Sequence, residues 1–201
     1  HGSPPCQRFS CPGRRFNTLQ NHEEAQRLIT WFVQTAITCG ATSWSMEQVA
    51  SSEILRLLEG LRKQNPSAIA YAVVPFYDLG VPQMRRRLIA GSPHLVARLL
   101  RRASHSRRRS VRDVIAIPRG THMRDASSWK WRHFNALDHR WVVVKAGLGD
   151  RLHRIDGPSP TVVCNGDLRW TTRRPNGTCT RTRTTIAERA ALQTFPDTYV
   201  W

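Results

Sequence analysis

The chain has few cysteines, few acidic groups and no long apolar run. Five cysteines stand in 201 residues, an odd number with no closely spaced pair, so a disulfide framework is not indicated. Together with the missing apolar segment behind the N-terminus, this predicts a reduced, intracellular setting: nucleus in a eukaryote, cytoplasm or nucleoid in a bacterium or virus. No stretch is long and apolar enough to span a bilayer, which argues against a membrane partner. The histidines and cysteines lack Cys-x2-Cys or His-x3-His spacing, so no metal site is expected. No internal repeat is present. The first residue is His1, which reads as a processed chain or an internal piece of a gene.

Acidic residues number 14 against 31 lysines and arginines, giving a formal charge of +17. Arginine dominates, and its guanidinium grips phosphate bidentately or reads guanine edges. A polyanion, nucleic acid before a membrane surface, is the partner this balance predicts. An arginine-rich genome would give the same composition.

Apolar residues at helical spacing from Asn21 to Thr38 predict a first helix, with Asn21 as its cap, Glu23-Glu24 in its first turn and Gly40 closing it. Trp44–Val49 is short enough for a strand. Ser51-Ser52-Glu53 opens a second helix that must stop near Asn65-Pro66. Ala68–Tyr77 and Leu88–Ala90 are expected as strands, and Pro93 as the start of a basic amphipathic helix running out into Arg107-Arg108-Arg109. This rhythm predicts an α/β domain with a largely parallel sheet. Beyond about residue 113 the texture changes to Trp, His and Gly, with Trp141–Lys145, Thr161–Cys164 and Leu168–Thr172 as strand candidates. Pro175-Asn176-Gly177 should turn the last of these back onto Thr178–Thr182, and Thr185 caps a helix from Ile186 to Thr194.

Three segments carry chemistry. Ser3-Pro4-Pro5-Cys6-Gln7-Arg8-Phe9-Ser10 places a thiol behind two stiff prolines and beside an arginine that favours thiolate. Met46-Glu47-Gln48-Val49 puts a carboxylate at a strand end. Asp78-Leu79-Gly80-Val81-Pro82-Gln83-Met84-Arg85-Arg86-Arg87 ends in a basic triplet.

Together these resemble the cytosine-5 methyltransferase family, with its Pro-Cys-Gln, Glu-Asn-Val and Gln-x-Arg-x-Arg motifs. Glu188–Asp197 is similar to its Leu-Gln-Gly-Phe-Pro-Asp helix, with Thr194 in place of the usual Gly, and Gly157–Val162 to its short strand returning to the catalytic domain. The resemblance implies that Cys6 adds to C6 of a flipped cytosine, making C5 nucleophilic, while Glu47 engages N3. Arg87 would hold the ring's O2 and Arg85 the active-site loop, with Pro4, Pro5, Gln7 and Gln83 supporting that loop. Arg86, Arg107, Arg108 and Arg109 are the candidates for nucleic-acid phosphate. S-adenosyl-L-methionine is the implied methyl donor and double-stranded DNA the implied substrate.

The implied fold is the C-terminal part of a Rossmann-like S-adenosylmethionine-dependent methyltransferase sheet with an irregular, β-rich recognition region. Residues 1–92 would be a partial catalytic domain, 93–157 the target-recognition region and 158–201 the return to the catalytic domain. Gln48 departs from the family's Asn. The Phe-x-Gly-x-Gly loop that binds the donor has no counterpart before Cys6, and the chain stops before the later Gly-Asn motif, so an internal fragment is expected. Two alternatives stay open: a tRNA cytosine-5 methyltransferase, against which the missing Cys-Phe-Thr motif counts, and a non-catalytic nucleic-acid-binding remnant.

Overall fold

The computed structural model describes residues 1–5, 19–116, 121–125, 151–162, 168–173 and 178–199. The chain is α/β and divides into two compact units, one of His1–Leu79 with Arg86–Ser106, the other of Gly80–Arg85 with Arg107–Trp201.

The first unit holds α1 (Leu19–Thr38), β1 (Ser45–Gln48), α2 (Ser52–Gln64), β2 (Ala70–Pro75), β3 (Arg86–Gly91) and α3 (Pro93–His105). Helix α1 begins before Asn21, so Asn21 lies inside it rather than capping it, and Glu23 falls in its second turn. At its other end Gly40 adopts φ 69°, a left-handed conformation that favours glycine. Helix α2 starts as the sequence predicts: the Ser51 hydroxyl accepts from the Ile54 amide at 3.2 Å, and the helix stops before Asn65-Pro66. Strand β2 ends at Pro75, where the chain tightens into a 3₁₀ turn at Phe76–Leu79.

The three strands order as β1-β3-β2, and both pairings are antiparallel. The expected largely parallel sheet is thus corrected. Strands β1 and β2, linked through α2, run the same way but are separated by the reversed β3, so the one parallel neighbour they have among the described residues lies outside the three strands. That neighbour is the N-terminal segment, which forms a parallel bridge from Gly2 to Met46.

Alternation along the strands decides the core. Met46, Leu88 and Ala90 point to one face and are buried there beneath Ala25, Ile29 and Val33 of α1 and Ile54, Leu58 and Leu61 of α2. Each large side chain so buried contributes on the order of 2 kcal/mol. Helix α3 packs on β2 and β3 and buries Val96, while Leu100 is 47% exposed.

One polar cluster ties α2 to β2. Arg62 grips the Glu59 carboxylate through two nitrogens, at 2.9 and 3.0 Å, and the Tyr71 hydroxyl donates to it at 2.7 Å. Arg62 first, then Tyr71, lower the Glu59 pKa from 4.5 to about 2, and the same carboxylate raises that of Tyr71.

The second unit contains β4 (Thr121–Asp125), β5 (Arg151–His153), β6 (Leu168–Arg173), β7 (Cys179–Arg183) and α4 (Ile186–Leu192). Its strands form an antiparallel sheet ordered β5-β4-β6-β7. Thr161 and Val162 are not in a strand, contrary to expectation, and the proposed strand at Trp141–Lys145 lies outside the described residues, as does the turn at Pro175-Asn176-Gly177. Leu168, Trp170, Val111, Ile115, Ile155 and Leu192 make its core. Thr185 and Glu188 cap α4 reciprocally, and the Glu188 carboxylate also accepts from the Trp170 indole at 2.9 Å. The helix closes at Leu192, two residues sooner than expected. Thr194 then takes φ 63°, with its amide bonded to the Ala191 carbonyl and the Phe195 amide to that of Ala190. This left-handed closure is normally glycine's, and a β-branched residue is strained in it.

Two expectations follow. Thr194→Gly should stabilise the chain by about 0.5 to 1 kcal/mol, read from the denaturant midpoint, whereas an unchanged or lower midpoint would contradict the strained closure. Because Glu59 titrates lower in the folded chain, its contribution is present above the unfolded value and lost as pH falls from about 4.5 toward about 2. Glu59→Gln should therefore flatten the acid limb of the stability–pH curve in that window and leave its slope near neutrality unchanged.

Candidate active site

Strand β1 places Glu47 on the face opposite the helical core, between the fully buried Met46 and Gln48. In the ladder Glu47 stands opposite Ile89, so Arg87 is its diagonal neighbour on the same face. Diagonal positions are far enough apart that only long side chains meet, and these two do. Arg87 Nε lies 2.6 Å from Glu47 Oε1, with the two side chains 19% and 28% exposed. Arg87 Nη1 also donates to the Arg86 carbonyl at 2.9 Å, which fixes the guanidinium plane. A carboxyl and a guanidinium are thereby offered side by side at a partly shielded surface, a set that can face the polar edge of a planar heterocycle. Arg86 alternates away and is exposed, as its position in the triplet predicts.

The N-terminal segment is drawn to the same strand. Gly2 donates to the Ser45 carbonyl at 2.9 Å and accepts from the Glu47 amide at 3.0 Å. A Cβ at Gly2 would overlap the Phe32 ring, so a side chain there would force that ring to shift. Two residues on, the Pro4 carbonyl accepts from Gln48 Nε2 at 2.8 Å, while Gln48 Oε1 accepts from the Val49 amide at 2.8 Å. Gln48, read from sequence only as a departure from Asn, is a buried tether that ties the proline-containing segment to the strand of Glu47. Its signal in the sequence was its alternation with Glu47 inside a strand. Pro4 is half-buried and Pro5 exposed, whereas Cys6 and Gln7 lie outside the described residues.

The rest of the arginine motif belongs to the second unit. Gln83 is buried there, donating to the Leu192 carbonyl at 2.8 Å and accepting from the Val162 amide at 3.0 Å. The backbone on either side of it pairs with Ser159: Ser159 donates to Pro82 at 2.9 Å and Met84 donates to Ser159 at 2.8 Å. This one amide thereby joins its own segment to two stretches that lie 79 and 109 residues further along the chain. Arg85 follows, half-buried. Arg107, Arg108 and Arg109 are exposed, and Arg107 approaches Asp113 only to 3.8 Å. The Asp113 pKa is lowered chiefly by the backbone and hydroxyl of Ser110, then by Arg107.

Among the described residues no group of three His, Cys, Asp or Glu side chains could hold a metal, and no helix is long and apolar enough to cross a membrane. An open cleft of about 540 Å³ is lined by α1 and α2 residues including Glu23, Arg27, Trp31 and Leu57. No protein-family model matches the chain, and no curated protein matches it in sequence.

Replacing Gln48 by Met keeps its length and removes both hydrogen bonds. The Pro4 carbonyl and Val49 amide are then left without partners, at an expected cost of about 1 to 3 kcal/mol in the denaturant midpoint. A loss below a few tenths would mean that the tether is replaceable by water.

Proposed function

We propose that the chain carries the base-activating centre of a DNA cytosine-5 methyltransferase, with Cys6 as the nucleophile. The observation that carries this reading is the Glu47–Arg87 pair beside the tethered Gly2–Pro4 segment. Cys6 follows Pro4 by two residues, a reach of at most about 7 Å. Two of the three sequence motifs thus share one strand pair, and the third begins next to it.

The chemistry asks for this grouping. A thiolate at Cys6 adds to C6 of an unstacked cytosine, and the ring's electron density moves toward N3. Glu47 would engage N3 with the proton or hydrogen bond that accepts that density, and C5 gains enamine character. The Arg87 guanidinium, half-buried beside Glu47, would hold O2 and stabilise the charge that develops there. The methyl group itself would come from S-adenosylmethionine. The described residues hold no glycine-rich turn at the end of a parallel strand, so they do not fit that donor and no step is derived through it. The strand–helix–strand unit β1–α2–β2, with the parallel N-terminal segment beside it, is consistent with one end of a doubly wound sheet carrying a reversed strand. Thr194 in a glycine conformation likewise supports the likeness of α4 to the family's Gly-Phe-Pro helix.

The test is methyl transfer from labelled S-adenosylmethionine by the gene product containing this chain, on duplex DNA and on tRNA. Label should appear at C5 of DNA cytosine, vanish in Cys6→Ser, and fall about 10²- to 10⁴-fold in Glu47→Gln. Label in tRNA alone would move the substrate, and no label in either would leave a binding protein.

A further inference from the structure

Helix α3 carries no acidic residue, and its polar side chains are not scattered. Arg98, Arg101, Arg102 and His105 follow one another at spacings of three, one and three, which places all four on one helical face. All are exposed, and the stripe spans about 10 Å along the axis. None of the three arginines has an acidic partner among the described residues, unlike Arg62 and Arg87, which are paired in the same unit. On the opposite side α3 packs on β2 and β3 and buries Val96, with Leu100 left exposed.

We propose that this stripe of α3 is a docking surface for the phosphate backbone of nucleic acid. It is additional to the Glu47–Arg87 site and independent of whether that site transfers a methyl group. Three adjacent guanidiniums on a rigid helix repel one another in the free chain, and a polyanion relieves that repulsion while displacing its own counterions. Guanidinium suits phosphate through paired N–H donors, and the chain as a whole uses 28 arginines and only three lysines. An anionic membrane would also attract the charge. A membrane-lying helix, however, inserts a whole apolar face, and Val96 at the centre of that of α3 is buried against the domain, with Leu95 and Leu99 half-buried beside it and Leu100 alone of its leucines exposed.

The proposal is tested by fluorescence anisotropy with a short random-sequence DNA duplex over a salt series. Three proteins are compared: the unaltered chain, Arg98→Ser/Arg101→Ser/Arg102→Ser, and a charge-matched control, Arg27→Ser/Arg56→Ser/Lys63→Ser. Circular dichroism establishes that each is folded. The α3 variant should bind at least about tenfold more weakly, with the slope of log K against log salt shallower by about 2 to 3, while the control changes far less. Arg98→Lys/Arg101→Lys/Arg102→Lys keeps the charge and should keep most of the slope, so it serves if the serine variant does not fold. Equal losses in the α3 variant and the control would overturn the proposal in favour of diffuse charge. Binding of phosphatidylserine vesicles in place of DNA, lost in the α3 variant, would overturn it in favour of a membrane.

Discussion

The first unit depends on a reversed strand held between two others. β3 is the only partner of β2 and the main partner of β1 among the described residues, and its register sets which side chains share a face. Its inward positions, Leu88 and Ala90, close the core under α1 and α2. Its outward position, Arg87, reaches diagonally to Glu47. A slip of one residue would exchange these sets, burying a guanidinium and exposing the core. Stability and the candidate chemistry are therefore set by one register.

Buried amides do comparable work in each unit. Gln48 and Gln83 are both almost fully buried, and each satisfies one carbonyl and one amide of the backbone. A glutamine side chain carries both donor and acceptor, so it can bind two chain segments without burying a net charge. Apolar packing would hold the same segments together but would not fix their register. At Gln48 the segment held is the one leading to Cys6. At Gln83 it is the return segment at 159–162 and the end of α4.

The charge of the chain falls into two populations. Some arginines are used internally: Arg87 on Glu47, Arg62 on Glu59, Arg154 and Arg112 on Asp156. Exposed pairs such as the last add little stability, because water screens them. The arginines of α3 have no acidic partner among the described residues, and with 31 basic against 14 acidic residues in the chain many cations must lack one. On α3 part of that excess is gathered on one helical face.

Local chemistry made much of this legible in the sequence. The Ser51 and Thr185 caps, the stop at Asn65-Pro66, the Gly40 terminus and the start of α3 at Pro93 all depend on neighbours within a few residues, and each lies where the sequence predicts. The alternation that exposes Arg86 and turns Arg87 aside is equally local. The sequence by itself also determined which residues could do chemistry, since a thiol, a carboxylate and a guanidinium have no substitutes in those roles. Tertiary structure decided the antiparallel placement of β3, the meeting of Glu47 with Arg87, and the two glutamine tethers. Strand direction and long-range hydrogen bonds depend on which distant segments collapse against one another, and spacing along the chain does not encode that choice. It also put Thr194 into a glycine conformation, because the core behind Leu192 holds the end of α4 against the residue's own preference.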